Sequence, residues 1–200
     1  MTLGPGAVHT SAMDAAAIVD ALKFLDRLAS LPRTGWLLRG VTDVESIAEH
    51  TYGVACVAAA LVDDLRARGV AVDGEKVLRM ALVHDAAEAL TGDIPMPAKT
   101  AELEAALERA EDELLARTLP AAQLELWREA ERGASVEARV VKAADKVQML
   151  VKMLTYEEQR RGKLDEMWAN AKNRRHMDLD LAKAIFEEVE RRAALVRRPS

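Results

Sequence analysis

Apolar residues recur every three or four positions along most of the chain, and this spacing places them on one face of an α-helix. The first such stripe contains Ile18, Leu22, Leu25 and Leu28 and predicts a helix from about Met13 to Leu31. Continued along the chain, the pattern predicts six to eight helices without an internal repeat or an interdomain linker. We therefore expect one all-α helical bundle over residues 13–196, preceded by a flexible start at residues 1–12.

Capping and stop signals place the ends of the predicted helices. Ser46 and Glu49 form a capping box that begins the second helix, which should end near Gly69. Asp73 caps a third helix that should run without interruption to about Thr91. The other predicted helices lie between Pro97 and Glu131 with a break at Pro120, from Ser135 to shortly before Gly162, around Trp168, and from about Leu179 to Val196.

The first two helices are joined by an irregular segment, Pro32 to Glu45, of 14 residues. This is long for a connection in a helical bundle, and long loops in compact domains often carry function.

Composition supports the helical prediction and narrows the functional classes. Half of the residues are hydrophobic but only 4% are aromatic, and Gly and Pro are sparse, which favours helices over a β-sandwich. A formal charge of −5 disfavours binding to a nucleic acid polymer. The single Cys56 excludes an internal disulfide, and neither a secretory signal nor an apolar run of roughly 18–20 residues is visible. We expect a cytoplasmic protein that does not bind a membrane.

Four ionisable residues occupy positions that the helical pattern assigns to the core: His50, His84, Asp85 and Asp145. A buried carboxylate without a partner is very costly, so the four together need a common explanation. A divalent cation provides one, because neutral imidazole and carboxylate suit Mn, Co, Fe and Zn, and sometimes Mg. Such a ligand set leaves coordination positions open for water or substrate, as in a catalytic site.

Each residue also has an ordinary structural interpretation. A lone histidine such as His50 on an apolar stripe is more often a hydrogen-bonded core residue than a metal ligand. Asp85 could be solvated, and Asp145 could form an ion pair with Lys142 or Lys146. The metal hypothesis accounts for all four residues at once, whereas the structural interpretations require separate coincidences.

The order His … His-Asp … Asp resembles the signature of the HD-domain metal-dependent phosphohydrolases. The segments PRTGW (32–36), AEH (48–50), HDAAEALTGDI (84–94) and VEARVVKAADKVQML (136–150) look like those of the 5′-deoxynucleotidase branch. The resemblance implies an HD-type bundle that forms a homodimer. It also implies that the protein releases phosphate from deoxynucleoside 5′-monophosphates with broad base tolerance. Glu88, at a position where di-metal branches carry other ligands, implies one metal ion, Mn²⁺ or Co²⁺ before Mg²⁺, Zn²⁺ or Fe²⁺.

The same resemblance suggests roles for five further residues. Glu88 would orient or deprotonate the attacking water, and Asp93 would accept a hydrogen bond from the sugar 3′-hydroxyl. Arg33 and Arg39 would bind the phosphate, and Trp36 would pack on the sugar. Each residue also has a structural alternative. Glu88 could be a surface acid and Asp93 a turn residue, Arg33 and Arg39 could be solvated loop charges, and Trp36 could be a hydrophobic anchor.

Two other functions compete with this prediction. The first is a related phosphohydrolase acting on a nucleoside triphosphate, an alarmone or a modified nucleotide; the residue after Glu88 is Ala89, whereas alarmone hydrolases carry Glu followed directly by Asp. The second is a catalytically silent helical module that senses nucleotides. His176, in a basic segment, is expected to be solvated rather than a ligand.

Overall fold

A computed structural model describes residues 14–95, 98 and 100–197, and within them the chain forms ten α-helices, seven of them long. The predicted all-α class is confirmed. The count slightly exceeds the prediction because three of the helices are single short turns. The predicted flexible start lies outside the described residues. The helices are α1 Ala15–Asp26, α2 Thr34–Leu37, α3 Ile47–Ala67, α4 Gly74–Ala81, α5 Glu88–Thr91, α6 Ala101–Thr118, α7 Ala121–Arg132, α8 Val136–Glu158, α9 Asp165–Ala169 and α10 Asp180–Val196.

The centre of the bundle is the pair α3 and α8, and α4, α7 and α10 pack around α8. Small side chains line the contact, since Ala58, Ala143 and Ala144 have no exposed surface. Their size lets the helix backbones approach closely. Polar side chains on the facing surfaces of α3 and α8 are therefore held at short range, as are the buried His50 and Gln148.

The predicted capping box at the start of α3 is present. The Ser46 side chain accepts a hydrogen bond from the Glu49 backbone N–H, and the Glu49 carboxylate accepts one from the Ser46 N–H at 2.7 Å. A cap of this kind stabilises a helix by about 1 kcal/mol. It fixes the first turn of α3, the turn that carries His50.

The prediction of one uninterrupted third helix is wrong. Helix α4 ends at Ala81, residues 82–87 form successive turns, and α5 begins at Glu88. In the turns, Ala86 N–H donates to the Val83 carbonyl and Glu88 N–H to the Asp85 carbonyl, a tighter spacing than in an α-helix. The break falls on the His84-Asp85 doublet, so these residues point in directions that a regular helix would not give them.

The long segment after α1 is closed at its two ends. Ile47 N–H donates to the Leu31 carbonyl at 2.9 Å, and Arg33 N–H donates to the Glu45 carbonyl at 3.0 Å. Helix α2 lies inside this closed loop. Its position places Arg33, Trp36 and Arg39 beside the turns that carry the doublet. None of the helices in the described ranges combines the length and apolar character needed to cross a membrane.

Candidate active site

Side chains from three parts of the fold converge beneath the loop: His50 from α3, the His84-Asp85 doublet from the turns after α4, and Asp145 from the middle of α8. His50 Nε2 lies 3.3 Å from Asp145 Oδ1 and 3.5 Å from Asp85 Oδ2. His84 Nε2 lies 3.3 Å from the same oxygen of Asp85. The ligand atoms of His50, His84 and Asp85 all lie within 4.8 Å of one another, a spacing that could hold a metal ion.

Both histidines are held from behind and present Nε2 to the carboxylates. His84 Nδ1 lies 2.7 Å from the Ala81 carbonyl, which in a continued helix would accept from the backbone of residue 85. His50 Nδ1 lies 2.6 Å from Gln148 Oε1. The two Nε2 atoms are buried and have no hydrogen-bond partner among the described residues. Two such nitrogens facing two carboxylates fit a divalent cation.

The structural alternatives for two of these residues are also realised. His50 is a hydrogen-bonded core histidine, and Lys146 Nζ lies 2.9 Å from Asp145 Oδ2. Neither contact uses the atoms that face the other ligand candidates, because His50 offers Nε2 and Asp145 offers Oδ1. The ordinary contacts and the converging arrangement coexist.

A cavity of about 230 Å³ opens above Asp85 and Asp145. The remaining residues that the sequence singled out also line it: Arg33, Trp36, Arg39, Glu88 and Asp93. The residues predicted from the sequence therefore lie close together: seven of them line the cavity, and the two histidines contact Asp85 without lining it.

The geometry of this site and a match to a protein-family model together assign the chain to a family. A family model described as HD domain matches residues 25–186. The chain belongs to the HD domain family. The predicted family is thereby confirmed.

Curated and solved relatives narrow the placement within the HD domain family. The 5′-deoxynucleotidase HDDC2 of Xenopus laevis is 33% identical over 182 residues, 86% of this chain and 87% of that protein. A conserved hypothetical protein from Pyrococcus furiosus is 33% identical, with a TM-score of 0.75 over 86% of this chain and 99% of that one. A predicted metal-dependent phosphohydrolase from Magnetospirillum magnetotacticum MS-1 is 27% identical, with a TM-score of 0.67 over 88% and 93% of the two chains. The curated relatives favour 5′-deoxynucleotidase activity over the triphosphate, alarmone and modified-nucleotide alternatives.

The charges of the HD site stabilise its carboxylates in the ionised form. Burial alone would raise the pKa of Asp85, but His84, His50 and Arg33 together lower it below its usual value. Burial would likewise raise the pKa of Asp145, yet Lys146 and the two histidines lower it well below the ordinary range. Carboxylates held ionised are the form that a cation requires.

The loop residues meet the HD site in different ways. Arg33 Nη1 lies 3.5 Å from Asp85 Oδ2, so its guanidinium is next to the ligand candidates. Arg39 Nη1 donates to the Gly35 carbonyl at 3.1 Å, and Asp93 Oδ2 accepts from the Gly35 N–H at 3.3 Å. The Trp36 indole N–H donates to Glu45 Oε1 at 3.0 Å, and the ring meets Tyr156 edge-on. Trp36 is only 2% exposed, so it is also the hydrophobic anchor of the structural alternative and offers the cavity only a small surface.

Sequence reasoning missed several residues of the site. Glu45 and Gln148 are buried behind His50. Lys146, by contrast, had been named as an ion-pair partner of Asp145, which it contacts. The cavity wall away from the ligand candidates is formed by Met149, Met167, Asn170 and Asn173. One signal in the sequence was available. Gln148 and Lys152 follow Asp145 by three and seven positions, so the three residues form a polar stripe on one face of α8.

Proposed function

We propose that this chain hydrolyses deoxynucleoside 5′-monophosphates to a deoxynucleoside and phosphate at the cavity above Asp85 and Asp145. The main supporting observation is that His50, His84, Asp85 and Asp145 lie together, and that Asp85 and Asp145 line the same cavity as Arg33 and Glu88. The relatives named 5′-deoxynucleotidase give the substrate class.

The four converging residues are the proposed ligands of one divalent ion, Mn²⁺ or Co²⁺. Two observations support this assignment: the Nε2 atoms of both histidines have no hydrogen-bond partner in the described part of the chain, and the two carboxylates are held ionised. When bound, the ion would supply charge neutralisation at a phosphate oxygen as the transition state forms.

Glu88 is the proposed general base. It lines the cavity together with Asp85 and Asp145, at the first residue of α5. Its carboxylate accepts a proton from the attacking water as the water oxygen bonds to phosphorus. The bond from phosphorus to the 5′-oxygen then breaks, and that oxygen takes a proton from a second water. The hydroxide left by this water takes the proton from Glu88, which restores the carboxylate.

Arg33 is the proposed phosphate anchor, and Arg39, which lines the same cavity, assists it. The support for Arg33 is its position 3.5 Å from Asp85, where a phosphate next to the ligands would meet its guanidinium. Burial would lower the pKa of Arg33, but Asp85, Asp93 and Asp145 more than offset this and raise it. Arg33 therefore stays charged at its partly buried position.

The sugar is proposed to lie between Trp36 and Asp93. Asp93 accepts the 3′-hydroxyl, and the Trp36 ring excludes a 2′-hydroxyl. This assignment is supported by the position of both residues on the cavity wall, with Asp93 tied to the Gly35 N–H. We further propose that the protein acts in the cytoplasm as a homodimer; sedimentation of the purified chain tests the dimer.

The deciding experiment is a substrate panel with the metal controlled. The purified protein is stripped, reloaded separately with Mn²⁺, Co²⁺, Mg²⁺ or Zn²⁺, and assayed for phosphate, pyrophosphate and triphosphate release. We expect phosphate from deoxynucleoside monophosphates well ahead of the ribose series. Release of pyrophosphate or triphosphate, or nucleotide binding without turnover in every metal, would contradict the proposal and favour a related phosphohydrolase or a silent sensor.

A further inference from the structure

A buried row of hydrogen bonds runs behind His50, on the side away from the cavity. His50 Nδ1 contacts Gln148 Oε1 at 2.6 Å, and Gln148 Nε2 donates to Glu45 Oε2 at 3.0 Å. His50 is fully buried, and Glu45 and Gln148 are 5% and 7% exposed. None of the roles assigned above uses Glu45 or Gln148. Because polar groups this deeply buried are costly unless they are matched, the arrangement needs an explanation.

Glu45 fixes the direction of every bond in the row. Its carboxylate also accepts from the Trp36 indole at 3.0 Å and from Lys152 Nζ at 3.2 Å. Since both of its oxygens already face N–H donors, Glu45 offers acceptors toward Gln148, which can meet it only through its amide NH₂. The amide carbonyl of Gln148 must therefore face His50.

The orientation of Gln148 in turn fixes the tautomer of His50. A carbonyl oxygen only accepts, so the proton of the neutral imidazole must sit on Nδ1, and Nε2 keeps a lone pair toward Asp85 and Asp145. If the Gln148 amide were reversed, its NH₂ would face Nδ1. The proton would then move to Nε2, and His50 could not bind a cation.

The two histidines of the site differ in this respect. His84 is oriented by the Ala81 backbone carbonyl, which cannot exchange a donor for an acceptor. His50 is oriented by a side-chain amide, which can present either its carbonyl oxygen or its NH₂ group to the ring. Only His50 needs a second residue to hold its partner in one orientation, and Glu45 occupies that position.

We propose that Gln148 and Glu45 are positioning residues for His50: Glu45 locks the Gln148 amide, and Gln148 keeps the His50 proton on Nδ1 so that Nε2 is free for a divalent cation. This inference rests on the metal site of the proposed function. It also gives Trp36 a second role, because the Trp36 indole helps to hold Glu45 in place while its ring lines the cavity.

The first test reads the tautomer directly in the full-length, metal-free wild-type protein. Nitrogen-15 chemical shifts of the histidine rings are recorded at about pH 8.5, well above the usual histidine pKa of about 6.5. Signals are assigned by replacing each of the four histidines with Gln in turn. We expect His50 to be protonated on Nδ1; a proton on Nε2 would overturn the proposal without any need for a folded variant.

The second test compares Glu45→Gln and Gln148→Met with wild type, using Mn²⁺ alone as the ligand. Each variant should shift the His50 proton toward Nε2 and raise the dissociation constant of Mn²⁺ about 10- to 100-fold. Thr51→Val is the matched control, since Thr51 is a buried neighbour of His50 whose hydroxyl has no hydrogen-bond partner among the described residues. The control should keep both the tautomer and the Mn²⁺ affinity of wild type.

A reciprocal exchange separates orientation from general packing. In the double variant E45Q/Q148E the carboxylate faces His50 and can again accept the Nδ1 proton, so the Nδ1 tautomer and most of the Mn²⁺ affinity should return. Lack of rescue in a folded double variant, or unchanged Mn²⁺ affinity in both single variants, would overturn the positioning role. Wild-type protein that binds no Mn²⁺ would overturn this role together with the metal site, whereas normal Mn²⁺ behaviour without phosphate release would overturn the proposed activity alone.

Discussion

The imidazole rings of His50 and His84 lie with their centroids 5.6 Å apart, inclined at 54°, and both turn Nε2 toward Asp85. Each ring is held at Nδ1 by a contact of 2.6–2.7 Å. The protein thus fixes both rings with its own hydrogen bonds. Such preorganisation lowers the entropic cost of binding a cation, because the ligands need little rearrangement.

Replacing Glu88 with Gln should lower kcat by about 10²- to 10⁴-fold while Mn²⁺ still binds with wild-type stoichiometry. The amide keeps the size of the side chain but cannot take a proton from water, and general bases contribute on this scale. Elemental analysis and steady-state kinetics measure the two effects. Glu75→Gln, at an exposed acid on α4 paired with Arg79, is the matched control and should change neither quantity. Retained turnover in Glu88→Gln would remove the water-activating role.

Replacing Asp145 with Asn should lower the metal content of the purified protein. Asp145 Oδ1 faces His50, and a neutral amide is a far weaker ligand than the carboxylate that Lys146 and the histidines hold ionised. Asp180→Asn, at an exposed aspartate on α10, is the control for loss of one surface charge. Unchanged stoichiometry in Asp145→Asn would exclude it from the ligand set.

Features set by neighbouring residues could be predicted from the sequence. The capping box of Ser46 and Glu49, the break at Pro120 and the polar Asp145 within α8 all follow from spacings of a few residues. The inward positions of His50 and Asp145 were predicted for the same reason, since each lies within a helix, α3 or α8, whose faces are set locally.

Features set by the assembled fold could not be predicted. The turns at 82–87 interrupt a segment whose apolar spacing is typical of a continuous helix. There the His84 ring contacts the Ala81 carbonyl, which a continued helix would have used for a backbone hydrogen bond. The tertiary structure of the site therefore outweighs the local helix preference. Gln148 and Glu45 are separated by 103 positions, and their bond depends on how α8 packs against the loop before α3. Neither a glutamate in a loop nor a glutamine in a helix predicts this hydrogen bond on its own.

Replacing Gly162 with Ala should destabilise the protein by about 1–3 kcal/mol. Gly162 has φ +76°, and an added Cβ would lie 2.5 Å from Val41 Cγ2 and 2.9 Å from the Arg39 carbonyl oxygen. Gly69→Ala is a close control, because Gly69 has φ +77° but open space around the added atom. The difference in urea midpoint between the two variants measures the part of the destabilisation that is due to the steric clash. Equal midpoints would mean that the loop around Arg39 yields without cost.

The stability of the metal-free protein should fall more steeply in acid when Asp145 is present. The pKa of Asp145 is well below its ordinary value in the folded state, so its contribution is complete above the unfolded pKa of about 3.9 and is lost as the pH falls toward the folded pKa. Asp145→Asn lacks this group. Urea unfolding of chelator-treated protein at successive pH values below about 5 should therefore show a shallower loss of stability in the variant. An identical pH dependence would contradict the depressed pKa.

Replacing Asp93 with Asn should lower kcat/KM for deoxynucleoside monophosphates about 10- to 100-fold, the scale of a lost hydrogen bond to a charged group. The Asn carbonyl can still accept from the Gly35 N–H, so the loop should keep its place, while its NH₂ cannot accept the sugar 3′-hydroxyl. A 2′,3′-dideoxynucleoside monophosphate separates the two functions because it lacks that hydroxyl. If Asp93 binds the sugar, wild type and Asp93→Asn should hydrolyse the dideoxy substrate at similar rates. An equal loss on both substrates would mean that Asp93 acts through Gly35 and the loop that carries Arg33 and Trp36, and not through the sugar.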